Sequence, residues 1–412
     1  MKTHYAQLAG TAAAVFLLSL AAVNAVQAAD SITEAFTEGE GHIKFRYRLE
    51  TVDQQYFDEN AVASTLRTRL NFRTADWYGF GAFVEVDWIA KIFWDDYNAG
   101  AGNTPDKTRY PVVPDPTGAF ANQAYLQWSN PEGTLLRGGR QVIIYDNARF
   151  VGNVGWRQHE QTFDAGAFRQ TTAGGFDFQA AYVWQVNRIF GNDVPAGTND
   201  NQTWLGNVAK DWKDVGKLTA YYYDIDNVDV ASFSTITYGA RWVGTVKLTS
   251  VGLRYVVEYA HQSDAHNNPV DYSANYYHAD LSVAWPKITP FIGFESLGGD
   301  DMLTGAAFRT PLATLHAFNG WADVFLTTPE AGLVDIYGGL KGLLGSWNWQ
   351  VIYHDFQAES GSQNFGRELD AGLIWKFAEH YGLLFNVAVF DAAPDSLYPD
   401  TTKFWAQFTA DF

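Results

Sequence analysis

The feature that most constrains this chain is a period of two in its hydropathy, repeated along almost the whole length. Successive side chains of a β-strand point to opposite faces, so this period predicts strands with one apolar and one polar face. The first segment sets apolar residues against charged ones: Ile43, Phe45, Tyr47 and Leu49 alternate with Lys44, Arg46, Arg48 and Glu50. The pattern recurs near residues 66–73, 82–88, 176–185, 253–262, 347–354 and 368–376. Outside the N-terminal segment, no helical period of comparable strength is present, so an all-β fold is predicted.

The connections between these segments alternate in length. Short turns lie at 74–78, 129–133, 172–175, 285–290, 344–346 and 378–381, and between them lie long stretches at 91–120, 142–162, 187–203, 261–273 and 297–333. Short periplasmic turns and long extracellular loops are typical of outer-membrane barrels, and about 18 strands lies within their range. We therefore predict a transmembrane antiparallel β-barrel of about 18 strands, forming a single domain over residues 29–412.

A secreted β-sandwich or β-solenoid is the structural alternative. In a sandwich, the apolar faces meet in a buried core between two layers. Here nearly every strand is half apolar without a candidate partner layer, whereas a closed barrel turns those faces to lipid and leaves no unpaired edge. The pattern therefore favours the barrel.

The N-terminal segment resembles a secretory signal. Lys2 precedes an apolar run over residues 8–23 and small residues around 26–29, which predicts a signal peptide of residues 1–28. A membrane anchor is the alternative, but the run is short for a bilayer span. The chain ends in an alternating segment whose last residue, Phe412, resembles the signal that hands outer-membrane barrels to the assembly machinery. We expect export to the outer membrane of a Gram-negative bacterium, with lipid, lipopolysaccharide and the barrel assembly machinery as partners.

Composition excludes several functional classes. The chain contains no cysteine, which removes disulfide scaffolds and thiol catalysis. A formal net charge of −18 argues against a nucleic-acid partner. No cofactor or metal is predicted. Serine, histidine and acidic residues show no spacing typical of a nucleophile and its base, so a non-enzyme is predicted and an outer-membrane hydrolase is the weaker alternative.

A barrel of this size can hold an aqueous channel, whose inward side chains decide what passes. The first two strands are predicted to present one cationic wall, formed by Lys44, Arg46, Arg48, Arg67, Arg69 and Arg73. Glu85 and Asp87 on the third strand face the same lumen, and we expect them to hold part of that wall by ion pairing.

A second basic cluster follows between residues 137 and 164. It begins with Arg137 and Arg140, continues through a loop bearing Asp146 and Arg149, and ends in Trp156-Arg157 and Phe163-Asp164. This run resembles the alginate export family of outer-membrane barrels, in which a Gly-Arg-Gln strand end leads through an Arg-bearing loop to Trp-Arg and Phe-Asp. Residues 310–323 also resemble a loop found in many members.

The resemblance implies a porin for an anionic polyuronate or a related acidic solute, such as alginate or a sugar acid. The positions that match are Arg140, Arg149, Arg157 and Asp164, with Asp146 as a further partner. Guanidinium groups suit this role because each offers a two-pronged donor to a carboxylate and stays charged at physiological pH. Two alternatives stay open: these arginines pin an inward loop to acidic wall residues, or the channel is a general pore for small solutes. The solute, the direction of transport and the oligomeric state are not decided by the sequence.

Overall fold

The structure is a computed structural model, which describes residues 29–248 and 251–412. The predicted signal peptide lies outside the described residues. Eighteen strands follow a short helix, α1 (Ile32–Thr37). The strands are β1 (Glu40–Gln54), β2 (Ala61–Arg73), β3 (Phe80–Asp96), β4 (Gly118–Ser129), β5 (Thr134–Gln141), β6 (Thr162–Thr171), β7 (Phe176–Asn187), β8 (Thr198–Trp212), β9 (Gly216–Ile225), β10 (Thr235–Lys247), β11 (Gly252–Asp264), β12 (Ser273–Ala284), β13 (Ile288–Leu297), β14 (Leu333–Leu344), β15 (Trp347–Gln357), β16 (Asn364–Phe377), β17 (Tyr381–Ala392) and β18 (Thr401–Asp411).

Each strand pairs antiparallel with its neighbours in sequence, and β1 also pairs with β18. The closing register sets Tyr47 opposite Phe408. Closure satisfies the backbone hydrogen bonds of both terminal strands, which is the condition for a sheet to lie in hydrocarbon. The predicted 18-stranded antiparallel barrel is therefore confirmed.

The alternation in sequence becomes the two faces of the wall. On β3, the apolar side chains of Val84, Val86 and Trp88 are exposed on the outer surface, whereas Glu85 and Asp87 are buried on the inside. Such outward apolar and inward polar positions are the arrangement of a membrane barrel. None of the helices within the two described ranges is long and apolar enough to span a bilayer.

The two ends of the barrel differ in their connections. Turns of two to six residues join the strands at one end, and connections of six to 35 residues join them at the other. Three long connections matter for function and are named here loop A (residues 97–117), loop B (142–161) and loop C (298–332). The described ranges contain four short 3₁₀ helices, two of them in these loops: Pro105–Lys107 in loop A and Leu315–Ala317 in loop C, beside Pro195–Gly197 and Ala231–Phe233 elsewhere.

Loops B and C fold into the barrel and build its core. Phe150 and Trp156 of loop B, together with Phe308 and Phe325 of loop C, belong to one buried apolar cluster with wall residues such as Trp405. The two loops also join by backbone contacts, because Val151 and Leu312 form a parallel bridge beside a 2.8 Å hydrogen bond from Gly152 N to Leu312 O. The lumen is therefore crossed by a packed layer of loops.

Candidate functional site

The predicted cationic wall lies on adjacent strands in register. Lys44 of β1 pairs with Arg69 of β2, and Arg46 pairs with Arg67. Four of its six members are buried inside the barrel, namely Arg46, Arg48, Arg67 and Arg69, whereas Lys44 is half-buried and Arg73 is exposed toward the short-turn end.

Three of these arginines hold loop B through neutral groups. Arg46 donates from Nε to Gln158 Oε1 at 2.9 Å, and Arg67 donates from Nη1 to Gln158 O at 3.2 Å. Arg48 donates to Gln407 Oε1 at 2.6 Å and lies 4.1 Å above the Trp156 ring. Arg48 Nη1 and Arg67 Nε are buried without a hydrogen-bond partner. Their positive charges are therefore not offset by a bonded carboxylate.

Arg69 has a different environment. It donates to both oxygens of Asp87, at 2.6 and 2.7 Å, and lies 2.6 Å from Glu160 and 3.5 Å from Glu85. At the edge of the wall, Lys44 pairs with Asp411 at 3.0 Å. The acidic residues of β3 thus contact Arg69, and within the described ranges no ion pair is formed by Arg46, Arg48 or Arg67.

The arginines of loop B are fully engaged by carboxylates. Arg157 lies 2.6 Å from Glu50 on β1 and 2.7 Å from Asp115 in loop A. Arg149 lies 2.7 Å from Glu295 on β13, and Arg149 is only 2% exposed. Buried charge pairs of this kind fix the geometry of the segments they join. Arg149 and Arg157 therefore anchor loop B to the wall.

Arg140 and Asp164 form a two-pronged ion pair, with hydrogen bonds of 2.8 and 3.0 Å. Along β5, Arg140 shares its face with the exposed Leu136, and along β6, Asp164 shares its face with the exposed Phe168. Because side chains alternate, both lie on the outer face of the wall and not in the lumen. This corrects the expected lumen placement of Arg140.

The two remaining candidates lie inside the barrel. Arg137 lies 4.3 Å above the ring of Tyr125, toward the short-turn end. Asp146 of loop B lies 3.1 Å from Arg241 on β10. Asp146 therefore pairs with a wall arginine that the sequence did not single out.

An acidic wall on β13 to β16 was not predicted as a functional feature. Ala322 N of loop C donates to Glu368 at 2.7 Å, and Trp321 N donates to Asp370 at 3.2 Å. On β14, Asp335 accepts from His354 Nδ1 at 2.9 Å. The signal was present in the sequence, because Glu368 and Asp370 occupy alternate polar positions of a predicted strand.

The loop layer also contains histidines in contact with aromatic rings. His316 of loop C stacks on Trp156 of loop B with 4.2 Å between ring centroids, and its Nδ1 lies 2.7 Å from Asp323. Asp323 in turn accepts from Lys403 Nζ on β18 at 2.8 Å. Trp156 is thus held between the guanidinium of Arg48 and the imidazole of His316.

Burial changes the ionisation of two neighbouring groups in loop B. Burial lowers the pKa of His159 to about 4, because the charged imidazole loses its hydration. Burial opposes ionisation of Glu160 as well, but the charges of Arg69 and Arg67 outweigh it and lower the pKa of Glu160 to about 2. At neutral pH, loop B therefore presents a neutral imidazole beside an ionised carboxylate.

A cavity of about 140 Å³ lies beside this layer on the β10 to β17 side of the lumen. Its loop side is formed by residues of loop C from His316 to Trp321. Its wall carries Arg254 on β11 and Lys341 on β14, both near the short-turn end of their strands. Within the two described ranges, no group of three or more His, Cys, Asp or Glu side chains is placed to hold a metal ion.

Comparison with known proteins places this geometry among outer-membrane barrels. The profile of the family described as "Alginate export" matches residues 41–279. A search of curated proteins found no significant match.

Among solved structures, OccAB2 of Acinetobacter baumannii aligns with a TM-score of 0.68 and 18% identity, over 92% of this chain and 99% of that one. OpdK of Pseudomonas aeruginosa, solved with vanillate, aligns with a TM-score of 0.69 and 11% identity, over 90% of this chain and 98% of that one. OccK9 of the same organism aligns with a TM-score of 0.69 and 12% identity, over 92% and 100% of the two chains. At identities of 11–18%, these structures support the barrel fold alone.

Proposed function

This chain belongs to the alginate export family of outer-membrane β-barrels, and from that membership we propose that it is a porin that conducts anionic solutes past an arginine-lined arc of its lumen. The solutes that this arc suits are acidic sugars and short polyuronates, of which alginate is one. The family points to a transporter and not to an enzyme.

The observation that carries the proposal is a group of three wall arginines that form no direct ion pair. Within residues 29–248 and 251–412, no ion pair joins Arg46, Arg48 or Arg67 to a carboxylate. Arg48 Nη1 and Arg67 Nε also have no hydrogen-bond partner. Positive groups inside a narrow aqueous pore raise the local concentration of anions and favour their passage. Arg149 and Arg157, in contrast, support the proposal only as anchors that hold loop B in place.

Planar-bilayer recording tests the proposal. Under a KCl gradient, the wild-type pore is expected to show a reversal potential that favours chloride, and Arg46→Gln with Arg67→Gln is expected to move that potential toward zero. Lys213→Gln, in the exposed turn between β8 and β9, removes one charge outside the lumen and is the matched control. Absence of pores, cation preference, or an unchanged potential in the double variant would contradict the proposal.

A general diffusion pore for small solutes is the second candidate. It is favoured by the carboxylates of the opposite wall, since Glu258, Glu295 and Asp335 are buried inside the same barrel. Swelling of proteoliposomes separates the two functions. Neutral and acidic sugars of equal size should enter at equal rates through a general pore, whereas the acidic sugar should enter faster through an anion porin.

A further inference from the structure

We propose that one face of helix α1, formed by Ile32 and Phe36, docks on the phospholipid leaflet at the short-turn end of the barrel and favours zwitterionic headgroups. The proposal does not depend on which solute the pore conducts. It assigns a membrane contact to a segment that precedes the first strand and lies outside the wall of the barrel.

Local contacts fix α1 beside the turn between β2 and β3. Ser31 caps the helix, since its Oγ accepts a hydrogen bond from Glu34 N at 3.1 Å. Ala35 is buried in a small cluster with Ala29 and Ala75, and Ala75 N donates to Ala35 O at 2.8 Å. One side of the helix is therefore held against the turn, and its other sides face the surroundings.

Two large apolar side chains of α1 remain exposed. Ile32 is 56% exposed and Phe36 is 58% exposed. At about 100° per residue, positions four apart lie only about 40° from each other on a helix, so these two side chains share one face. Thr33 and Thr37, which are also exposed, lie on a different side. The helix therefore presents an apolar face and a polar face.

The apolar face of α1 continues the lipid-facing surface of the barrel. The Phe36 ring stacks on the Phe72 ring, with 6.4 Å between centroids and 12° between planes. Phe72 shares the outer face of β2 with the 48% exposed Leu70, because residues two apart on a strand point the same way. Along the same edge, Phe80 at the start of β3 lies 6.5 Å from Trp128 near the end of β4. Aromatic rings at the ends of the strands form the girdles that lie in the bilayer interface.

The charges around α1 select among lipid headgroups. Residues 30–40 contain Asp30, Glu34, Glu38 and Glu40 and no lysine or arginine. The binding of an interfacial helix depends on its buried apolar area together with its electrostatic attraction to the bilayer. An anionic surface attracts basic segments and repels acidic ones. A zwitterionic phospholipid leaflet is therefore the surface that fits both the apolar face and the acidic residues beside it.

Spin labelling of the full-length protein in vesicles tests the contact, and the absence of cysteine from the chain makes each introduced label unique. Labels on Ile32→Cys and Phe36→Cys are compared with labels on Thr33→Cys and Thr37→Cys in the same helix. Power saturation with oxygen, which concentrates in lipid, and with a water-soluble nickel chelate reports the surroundings of each label. In vesicles of phosphatidylcholine and phosphatidylethanolamine, we expect oxygen to dominate at positions 32 and 36 and the nickel chelate to dominate at 33 and 37.

The label on Ile32→Cys decides the outcome, because that variant keeps the stacking of Phe36 on Phe72. Dominance of the nickel chelate at position 32, equal signals at positions 32 and 33, or access for neither reagent at position 32 would overturn the lipid contact. The last of these results would mean that protein covers this face.

Addition of phosphatidylglycerol to the vesicles tests the headgroup preference. The oxygen preference at position 32 should decrease, because the anionic surface repels the acidic residues of α1. An unchanged or stronger oxygen preference in the anionic vesicles would overturn the preference for zwitterionic headgroups.

Discussion

At the scale of single residues, burial decides what each charge of this barrel can do. Arg157 is buried between Glu50 and Asp115, whereas Lys44 and Asp411 form a pair whose side chains are 34% and 54% exposed. Water and salt weaken an exposed pair, but they do not reach a buried one. The two pairs therefore have different energetic roles although their distances are similar.

Arg157→Ala is expected to lower the free energy of unfolding by about 3–5 kcal/mol, since it leaves two buried carboxylates without their partner. Lys44→Ala should cost no more than about 1 kcal/mol. Urea titration of the protein folded into vesicles measures both. Equal losses of unfolding free energy in the two variants would show that the buried triad of Arg157, Glu50 and Asp115 contributes no more than a surface pair.

A pH dependence follows from His159. Its pKa lies near 4 in the folded protein and at 6.5 ordinarily, so between these values the unfolded chain binds a proton that the folded chain does not. The contribution of His159 to stability is complete above about pH 6.5, falls as the pH drops, and levels near pH 4, with a total of about 3 kcal/mol. Glu160 adds a second fall between pH 4.5 and about 2, since its pKa is lowered.

Unfolding free energies measured from pH 8 to pH 3 check this dependence. His159→Gln should reduce the decrease between pH 6.5 and pH 4 and keep the decrease below pH 4.5. Part of the upper decrease should remain, because burial also lowers the pKa of His316 in loop C. A variant whose stability follows the wild type through the upper window would exclude His159 as its cause.

At the scale of elements, the strands could be predicted from the sequence, but the loop contacts could not. The alternation of β1 predicts its inward Arg46 and Arg48, because a strand has two faces and lipid fixes which one is apolar. The partners of Arg149 and Arg157 are not predictable in this way, since Glu295 and Glu50 are 146 and 107 residues away in the chain. The outward placement of Arg140 is predictable from the alternation along β5, in which Arg140 shares a face with Leu136, whereas the motif resemblance implies a lumen position.

Loop C offers a test of whether the loop layer narrows the pore. Gly320 has a φ of +85°, and a Cβ there would overlap the carboxylate of Glu368 on β16. Gly320→Val should push loop C from the wall, lower stability and raise single-channel conductance. Gly102→Val in loop A is the matched control, because Gly102 has a φ of +89° and open space around an added Cβ. If the two variants conduct alike, displacement of loop C has no effect on the pore.

At the scale of the whole molecule, the barrel reverses the distribution of polarity found in water-soluble proteins. Lipid contacts the apolar outer face, and the buried charges of the wall lie inside, with the arginines of β1 and β2 on one side and the carboxylates of β11 to β16 on the other. Loops B and C lie between these two arcs and are bonded to both, through Arg157 to Glu50 and through Ala322 to Glu368. The net charge of −18 is therefore a poor guide to what the lumen favours, since it does not describe how the charges are arranged.

The same reversal predicts effects of different size for a substitution to arginine on the two faces. Ile292, near the middle of β13, is 59% exposed on the outer face, and Gln350 of β15 lines the cavity. Ile292→Arg should lower the unfolding free energy in vesicles by about 2–4 kcal/mol, because lipid cannot solvate the guanidinium. Gln350→Arg should cost less and move the reversal potential further toward chloride. A larger loss of stability for the inward variant than for the outward one would contradict the assignment of these two faces.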